Sequence, residues 1–139
     1  YVRYGHFDWT FMQDIRVKVI ERTNIRQLAY EVINEKMDII VADTSFISLK
    51  IVIPSAEKFM RDNTLVLALI KPQFEAGKQN VGKGGVVKDP EIRKLVINEL
   101  KFFFKERGYL INQIIPSPIL GPKGNKEYII SLNFKKNSN

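Results

Sequence analysis

Residues 64–75 read TLVLALIKPQFE, a short apolar run that ends abruptly at Lys71. A second run, DIIVA at residues 38–42, ends in the same way at Asp43 and is followed by TSFISL. Apolar runs of this length, bounded by charged residues, are typical of buried strands in a parallel sheet. Open α/β sheets bind ligands at the carboxyl ends of their strands. Asp43 and Lys71 are therefore the first candidate site residues.

The rest of the chain alternates β-branched apolar runs with helical patterns, which predicts βαβ units and a mostly parallel α/β sheet. A Pro/Gly-rich loop, residues 116–126, separates the last two apolar runs. Because this loop is too short for a crossover helix, these two strands should pair antiparallel. A parallel sheet closed by an antiparallel hairpin resembles the Rossmann-like methyltransferase fold. Strands are predicted at residues 17–20, 38–42, 64–70, 110–115 and 127–134, and helices at 7–13, 25–34, 49–61 and 90–107.

The clearest of these helices is the one predicted at residues 90–107. Asp89 can cap its first turn, Pro90 suits the first helical position, and Gly108 can end it. Its apolar residues recur at helical spacing and are predicted to face the core: Ile92, Leu95, Val96, Leu100, Phe103 and Phe104.

The composition favours one compact domain, residues 1–134, followed by a frayed tail at residues 135–139. Of the 139 residues, 45% are hydrophobic and 27% are charged, which is enough for one core. Lysine and arginine number 22 against 15 acidic residues, a net charge of +7. This charge favours a polyanionic partner, with nucleic acid first and an anionic membrane surface second.

Several classes of protein are disfavoured by what the sequence lacks. With no cysteine and a single histidine, a disulfide framework, a zinc site and a Cys/His nucleophile are not expected, and we predict no bound metal. The longest apolar run, residues 65–70, is far shorter than the roughly 20 residues of a membrane span, and no signal-peptide core is seen. We expect a soluble, cytoplasmic protein that does not bind membranes.

One motif in the chain is misleading. Residues 77–84, GKQNVGKG, match the phosphate-loop pattern GxxxxGK, but Gly84 stands where Ser or Thr should hold magnesium. A phosphate loop also follows its strand at once, whereas six residues separate Ile70 from Gly77. We therefore predict that this segment is a flexible Gly/Lys loop that covers a site. It is not expected to be the phosphate loop of an NTPase.

Two loops of the chain are rich in lysine. Residues 71–88 contain four lysines against one acidic residue, and residues 123–136 repeat this balance. Such loops can follow a phosphate backbone, although a charge run of this kind can also be a solvated face. The candidate nucleic-acid-binding residues are Lys78, Lys83, Lys88, Lys123 and Lys126.

Four segments resemble those of a known family: VIERTN at residues 19–24, DTSFISL at 43–49, KPQFEAGKQNVGKGGVVKDP at 71–90 and SPILGPKGNKEY at 117–128. They look like the TlyA-type ribosomal RNA 2′-O-methyltransferases, often labelled hemolysin A, of the FtsJ-like group. KPQFE and GPKGNKEY are specific in combination. The resemblance implies that the chain is the C-terminal part of a methyltransferase domain. It also implies S-adenosylmethionine as methyl donor and a ribose hydroxyl of ribosomal RNA as acceptor.

The resemblance further implies catalytic residues. The FtsJ-like pattern carries a Lys-Asp-Lys-Glu tetrad, and three of its members match Asp43, Lys71 and Glu127, with the first lysine expected upstream of Tyr1. A ribose hydroxyl becomes a good nucleophile when its proton is drawn off, and Lys71 is the expected base. Asp43 and Glu127 would orient the reacting groups. Each residue also has a simpler explanation: a capping aspartate, a solvated lysine, and the first residue of an edge strand.

The cofactor site is predicted less completely. The resemblance places the donor's adenine near residues 21–24. The predicted cofactor-binding residues are Glu21 and Asn24 from this segment, together with Asp43. Asn24 could equally cap the helix predicted next to it. The Gly-rich donor loop is expected before Tyr1, and Tyr1 itself stands where the family has an acidic residue. We expect this chain to hold half a cofactor site and to be inactive alone.

Two other functions remain open from the sequence. One is an RNA-binding module without catalysis, which the basic loops and the missing donor loop support. The other is a membrane-lytic protein, as the hemolysin label suggests. Lysis requires an amphipathic element exposed to lipid, whereas the apolar faces of this chain are needed for a βαβ core.

Overall fold

The structure, a computed structural model, describes residues 9–136 and shows helices packed against a four-stranded mixed sheet. The strands are β1 (Met37–Ala42), β2 (Met60–Ile70), β3 (Leu110–Pro116) and β4 (Tyr128–Asn133). The helices are α1 (Trp9–Gln13), α2 (Tyr30–Ile33), α3 (Leu49–Ser55) and α4 (Pro90–Glu106). Short 3₁₀ turns occupy Glu57–Phe59, Pro72–Phe74, Lys78–Asn80 and Pro122–Gly124.

The topology of the sheet decides where the site lies. The strand order is β1-β2-β4-β3, with β1 and β2 parallel and β4 antiparallel to both of its neighbours. Strands β1, β2 and β3 therefore share one direction, and only β4 of the described strands is reversed. Ile70, the last residue of β2, pairs with Tyr128, the first residue of β4. One edge of the sheet thus brings together the residues that follow β1 and β2 and the residue that precedes β4.

The core lies between the sheet and the helices α3 and α4. From Thr64 to Ile70 of β2 every second residue is buried, which is the two-residue period of a strand that packs on one face. The central core residues of β4 are Ile130 and Leu132, both with no exposed surface. The helices contribute Leu49, Val52 and Ile53 from α3 and Val96, Leu100 and Phe104 from α4.

Helix α4 confirms the predicted capping residues. The Asp89 side chain accepts a hydrogen bond from the Glu91 N–H at 2.9 Å, and Pro90 is the first helical residue. Gly108, which follows the C-cap, has a φ of +92°, a conformation that glycine adopts without strain. The predicted apolar face is wrong at Leu95, which is 50% exposed because it lies beyond the edge of the buried stripe.

The strand predicted at residues 17–20 is wrong. These residues pair with no strand in the described part of the chain, and β1 pairs only with β2 there. A β-branched run becomes a strand only when a neighbouring strand binds its backbone N–H and C=O groups. Ile39 and Val41 on β1 remain 59% and 72% exposed.

Several predicted boundaries also differ. The helix predicted at residues 25–34 shortens to α2, which ends at Asn34 in a left-handed conformation. The helix predicted at residues 49–61 ends at Ser55, after Pro54, and β2 begins at Met60 rather than at residue 64. In the predicted helix 7–13 and tail 135–139, residues 7–8 and 137–139 lie outside the described residues. Within the tail, the Lys136 N–H donates to Asp62 Oδ1 at 2.9 Å.

We predict that Phe104→Ala destabilises the protein by about 3–5 kcal/mol, since it removes a buried ring and leaves a cavity. Phe102→Ala is the matched control, because Phe102 lies on the same helix and is 69% exposed. The control should change the free energy of unfolding by about 0.5 kcal/mol or less. Chemical denaturation of both variants measures this difference, and equal losses would contradict the placement of the core.

Candidate active site

The shared edge of the sheet brings Lys71 to Asp43. Asp43 follows β1 and Lys71 follows β2, and these parallel neighbours end side by side. Lys71 Nζ lies 2.5 Å from Asp43 Oδ1, and the Lys71 side chain is only 13% exposed whereas that of Asp43 is 65% exposed. Lys71 Nζ also lies 3.5 Å from Ser45 Oγ. The amine of Lys71 is thus held in a fixed direction near the surface of the edge.

Glu127 reaches the same edge from β4, and it is 7% exposed. Gln73 Nε2 donates a hydrogen bond to Glu127 Oε2 at 2.8 Å. The Gly121 backbone lies against the carboxylate, since a Cβ atom on Gly121 would be 2.2 Å from Oε2. No hydrogen bond or ion pair between described residues joins Glu127 to Lys71 or Asp43. The three predicted catalytic residues therefore belong to two adjoining pairs, Asp43 with Lys71 and Gln73 with Glu127.

Glu75 anchors the segment that carries Lys71 and Gln73. Its carboxylate accepts hydrogen bonds from Ser48 Oγ at 2.6 Å and from the Leu49 N–H at 2.8 Å, at the start of α3. Burial raises the pKa of the Glu75 carboxyl, while these two hydrogen bonds act in the opposite direction. The segment KPQFE therefore uses alternate residues to contact three elements: the end of β1, the start of β4 and the start of α3.

A groove of about 1130 Å³ adjoins the Asp43 end of the site. It lies between residues 20–28 and the end of β1, and its lining includes the apolar Ile25, Ile40 and Val52 and the polar Asn24, Asp43 and Thr44. Two of the predicted cofactor residues, Asn24 and Asp43, therefore share one groove. The third, Glu21, is not among its lining residues, although its neighbours Ile20 and Arg22 are.

Asn24 does not cap α2, whose N-cap is Ala29, but it holds the turn that precedes this helix. Its side-chain Oδ1 accepts a hydrogen bond from the Arg26 N–H at 2.9 Å, which stabilises the turn before α2. A residue that is fixed in this way presents its remaining amide N–H groups in a defined direction. A role in this turn and a place beside the groove are thus compatible.

The two basic loops form one unit, which sequence analysis missed. Asn125 is 3% exposed, and its Oδ1 accepts a hydrogen bond from the Val87 N–H at 3.0 Å. Its Nδ2 donates to Gly85 O at 2.9 Å and to Pro122 O at 3.1 Å. Residues 77–88 and 121–126 are therefore joined, and together they contain five lysines and no acidic residue. Those lysines are the five predicted RNA-binding residues, and all five are exposed: Lys78, Lys83, Lys88, Lys123 and Lys126.

An aromatic pair lies beside the ion pair of Asp43 and Lys71. Phe46 is 82% exposed and adopts a φ of +64°, which is unusual for a residue other than glycine. Its ring lies 4.9 Å from that of Phe74, centroid to centroid. The sequence indicates this feature only as a Phe in each of two segments that follow strands. The pair places an apolar ring face at the rim of the site.

Neither a membrane-spanning helix nor a metal-binding cluster is found in the described part of the chain. No helix among residues 9–136 is long and apolar enough to cross a membrane. In the same residues, no group of three or more His, Cys, Asp and Glu side chains is arranged to hold a metal ion.

Comparison with known proteins defines the class of this one. The family model described as FtsJ-like methyltransferase matches residues 2–134. The chain therefore belongs to the FtsJ-like methyltransferase family, and the predicted Rossmann-like fold class is confirmed.

The type within the family follows from individual relatives. The chain is 42% identical over 131 residues to the 16S/23S rRNA (cytidine-2′-O)-methyltransferase TlyA of Mycobacterium tuberculosis, covering 94% of this chain and 49% of the relative. It is 35% identical to Hemolysin A of Brachyspira hyodysenteriae over 130 residues, 92% of this chain and 54% of the relative. These similarities confirm the predicted TlyA type. The chain spans about half the length of the curated relatives that it matches.

A solved structure supports the fold directly. The protein of Streptococcus thermophilus, named as a candidate hemolysin, superimposes with a TM-score of 0.89 at 32% identity. The match covers 95% of this chain and 48% of that one. The arrangement of β1 to β4 is therefore shared with a relative of similar sequence.

We predict that Glu75→Gln changes how stability depends on pH. Burial raises the pKa of Glu75 in the folded state above its ordinary value of 4.5. Below that value the carboxyl is protonated in the folded and unfolded states alike. As the pH rises through the raised pKa, ionisation is disfavoured in the folded state, so stability is lost. The free energy of unfolding of the wild type should therefore fall, relative to that of Glu75→Gln, as the pH rises above 4.5.

Chemical denaturation at a series of pH values from about 4 upwards measures this trend, because stability is lost from the ordinary value of 4.5 up through the raised pKa. Glu106→Gln, at an exposed position on α4, removes the same charge and serves as the control. If both variants followed the same curve relative to the wild type, burial of Glu75 would not be the cause.

Proposed function

We propose that the complete protein transfers a methyl group from S-adenosylmethionine to a ribose 2′-hydroxyl of ribosomal RNA. The observation that carries this proposal is the largely buried Lys71 side chain, whose Nζ is held by Asp43 at a strand edge that adjoins a groove and a basic surface. Membership of the FtsJ-like family and the rRNA methyltransferase names of relatives support the same reaction. Ribosomal RNA as substrate would place the protein in the cytoplasm.

The groove fits a nucleoside-containing donor. Apolar side chains such as Ile25 and Ile40 suit an adenine ring, and the polar groups of Asn24 and Asp43 can fix its orientation by hydrogen bonds. We propose that Asn24 and Asp43 hold the donor, with Glu21 contributing at most from outside the groove lining. When bound, S-adenosylmethionine would supply an electrophilic methyl group.

In this proposal Lys71 is the base that removes the proton of the ribose hydroxyl. Asp43 and Ser45 fix the direction of Lys71 Nζ, so that a free amine at this position could accept a proton from a hydroxyl placed at the edge. Glu127 would accept a hydrogen bond from the ribose and help to align the hydroxyl. An aligned nucleophile needs little further ordering before it reacts. Avoiding this loss of entropy accounts for a large part of such a rate enhancement.

The acceptor RNA would bind across the joined basic loops. Five exposed lysines without an acidic neighbour in these segments can neutralise several phosphates. The exposed ring of Phe46 offers a surface on which an unpaired base can stack. Both features suit a single-stranded or loop region of RNA whose ribose must enter the site.

We predict that Lys71→Ala in the complete protein lowers turnover by about 10²- to 10⁴-fold, as expected for loss of a general base. Donor affinity, measured by calorimetry, should hardly change, because Lys71 is outside the groove lining. Lys94→Ala is the control, since Lys94 is an exposed lysine on α4. Retention of more than about a tenth of wild-type turnover by Lys71→Ala would exclude its role as base.

We predict that changing Lys78, Lys83 and Lys88 together to Gln weakens RNA binding for all sequences tested. The slope of log affinity against log salt should flatten by up to roughly 0.7 to 0.9 for each phosphate that is no longer neutralised. The control changes three exposed lysines of α4 to Gln, which removes the same charge: Lys94, Lys101 and Lys105. Equal slopes for the two triple variants would indicate that residues 77–88 are a solvated face.

A further inference from the structure

We propose that Gln73 is a positioning residue for methyl transfer, and that it acts by fixing the carboxylate of Glu127. The inference rests on the proposed function for its role in turnover. The contact between Gln73 Nε2 and Glu127 Oε2, at 2.8 Å, is the only side-chain hydrogen bond to Glu127 from the described residues. The direction of the carboxylate therefore depends on this one donor.

The orientation of the Gln73 amide is determined by the contact. Gln73 Oε1 is buried and has no hydrogen-bond donor among the described residues. An acceptor in that position is unfavourable, because it has lost its water without gaining a partner. Turning the amide over would place its oxygen against the Glu127 carboxylate, which is more unfavourable still. The geometry thus gives the Nε2 donor of Gln73 a partner in Glu127 and leaves its Oε1 acceptor without a donor among the described residues.

The backbone on both sides of this hydrogen bond is held in place. Gln73 lies in the turn Pro72–Phe74, between the ion pair of Lys71 and the hydrogen bonds of Glu75. The Glu127 carbonyl accepts from the Ser117 N–H at 2.8 Å, and Gly121 closes one side of the carboxylate. Because both backbones are held, neither side chain can move toward the other to restore the hydrogen bond once it is broken. Glu127 would then lose the side-chain hydrogen bond that orients its carboxylate.

A neutral amide also suits the chemistry better than a cation would. It orients Glu127 by one hydrogen bond without neutralising the charge of the carboxylate. Glu127 Oε1 accepts no hydrogen bond from the described residues, and it is the oxygen left to bind the ribose. A lysine or arginine in place of Gln73 would compete for that charge.

The test is a double-mutant cycle in the complete protein. Gln73→Met keeps the length of the side chain and removes the donor, and it should lower kcat by roughly ten- to a hundredfold. KM for RNA and the affinity for the donor should stay within about twofold, since Gln73 is in neither proposed binding surface. In a Glu127→Ala background, Gln73→Met should cause no further loss. Gln113→Met, at an exposed position of β3, is the control for the substitution.

A structural readout separates this inference from the proposed function. In a crystal structure of Gln73→Met, the Glu127 carboxylate should be rotated or disordered relative to the wild type. An unchanged Glu127, or a full additional loss in the Glu127→Ala background, would overturn the inference while the methyl-transfer reaction stood. If the wild-type protein transferred no methyl group to RNA, the proposed function would fail, and the position of Glu127 would still decide whether Gln73 holds it.

Discussion

The reversed strand β4 is the constraint on which the site depends. It lies between β2 and β3 and pairs antiparallel with both, so its amino end meets the carboxyl end of β2. The register of Ile70 with Tyr128 places Lys71 and Glu127 at the same edge, because Lys71 follows β2 and Glu127 precedes the reversed strand β4. Because side chains alternate between the faces of a sheet, a slip of one residue would move the buried residues of β4 to the wrong face. The core thereby maintains the register that the site requires.

The segment KPQFE places its side chains at the edge that this register defines, and it does so at some cost to stability. Lys71, Gln73 and Glu75 each bind a different element, so the loop after β2 has little freedom to move. Two of these contacts are unfavourable in isolation. Glu75 is a buried carboxyl with a raised pKa, and Gln73 has a buried oxygen without a donor among the described residues. The two hydrogen bonds to Glu75 offset part of the cost of its burial, whereas the Gln73 oxygen is left without a donor, as happens at sites where position matters more than stability.

Asn125 has a comparable role for the basic surface. It is a neutral, buried side chain that binds the backbone of two loops, and it lies two residues before Glu127. Movement of the basic loops would therefore be transmitted to the start of β4. The surface proposed to bind RNA and the carboxylate proposed to align the ribose are parts of one connected structure. This arrangement favours a reaction in which substrate binding and alignment occur together.

The sequence by itself determined the elements whose signals are local. The apolar run of β2, the caps of α4 and the charged residues after β1 and β2 are all visible along the chain, and the family segments predicted Glu127. Only the tertiary structure decided that residues 17–20 form no strand, because a strand requires a partner that local propensity does not supply. It also paired Gln73 with Glu127, 54 residues apart, and Asn125 with Val87, 38 residues apart. Such hydrogen bonds form because distant segments pack together. The pattern of neighbouring residues along the chain does not predict this packing.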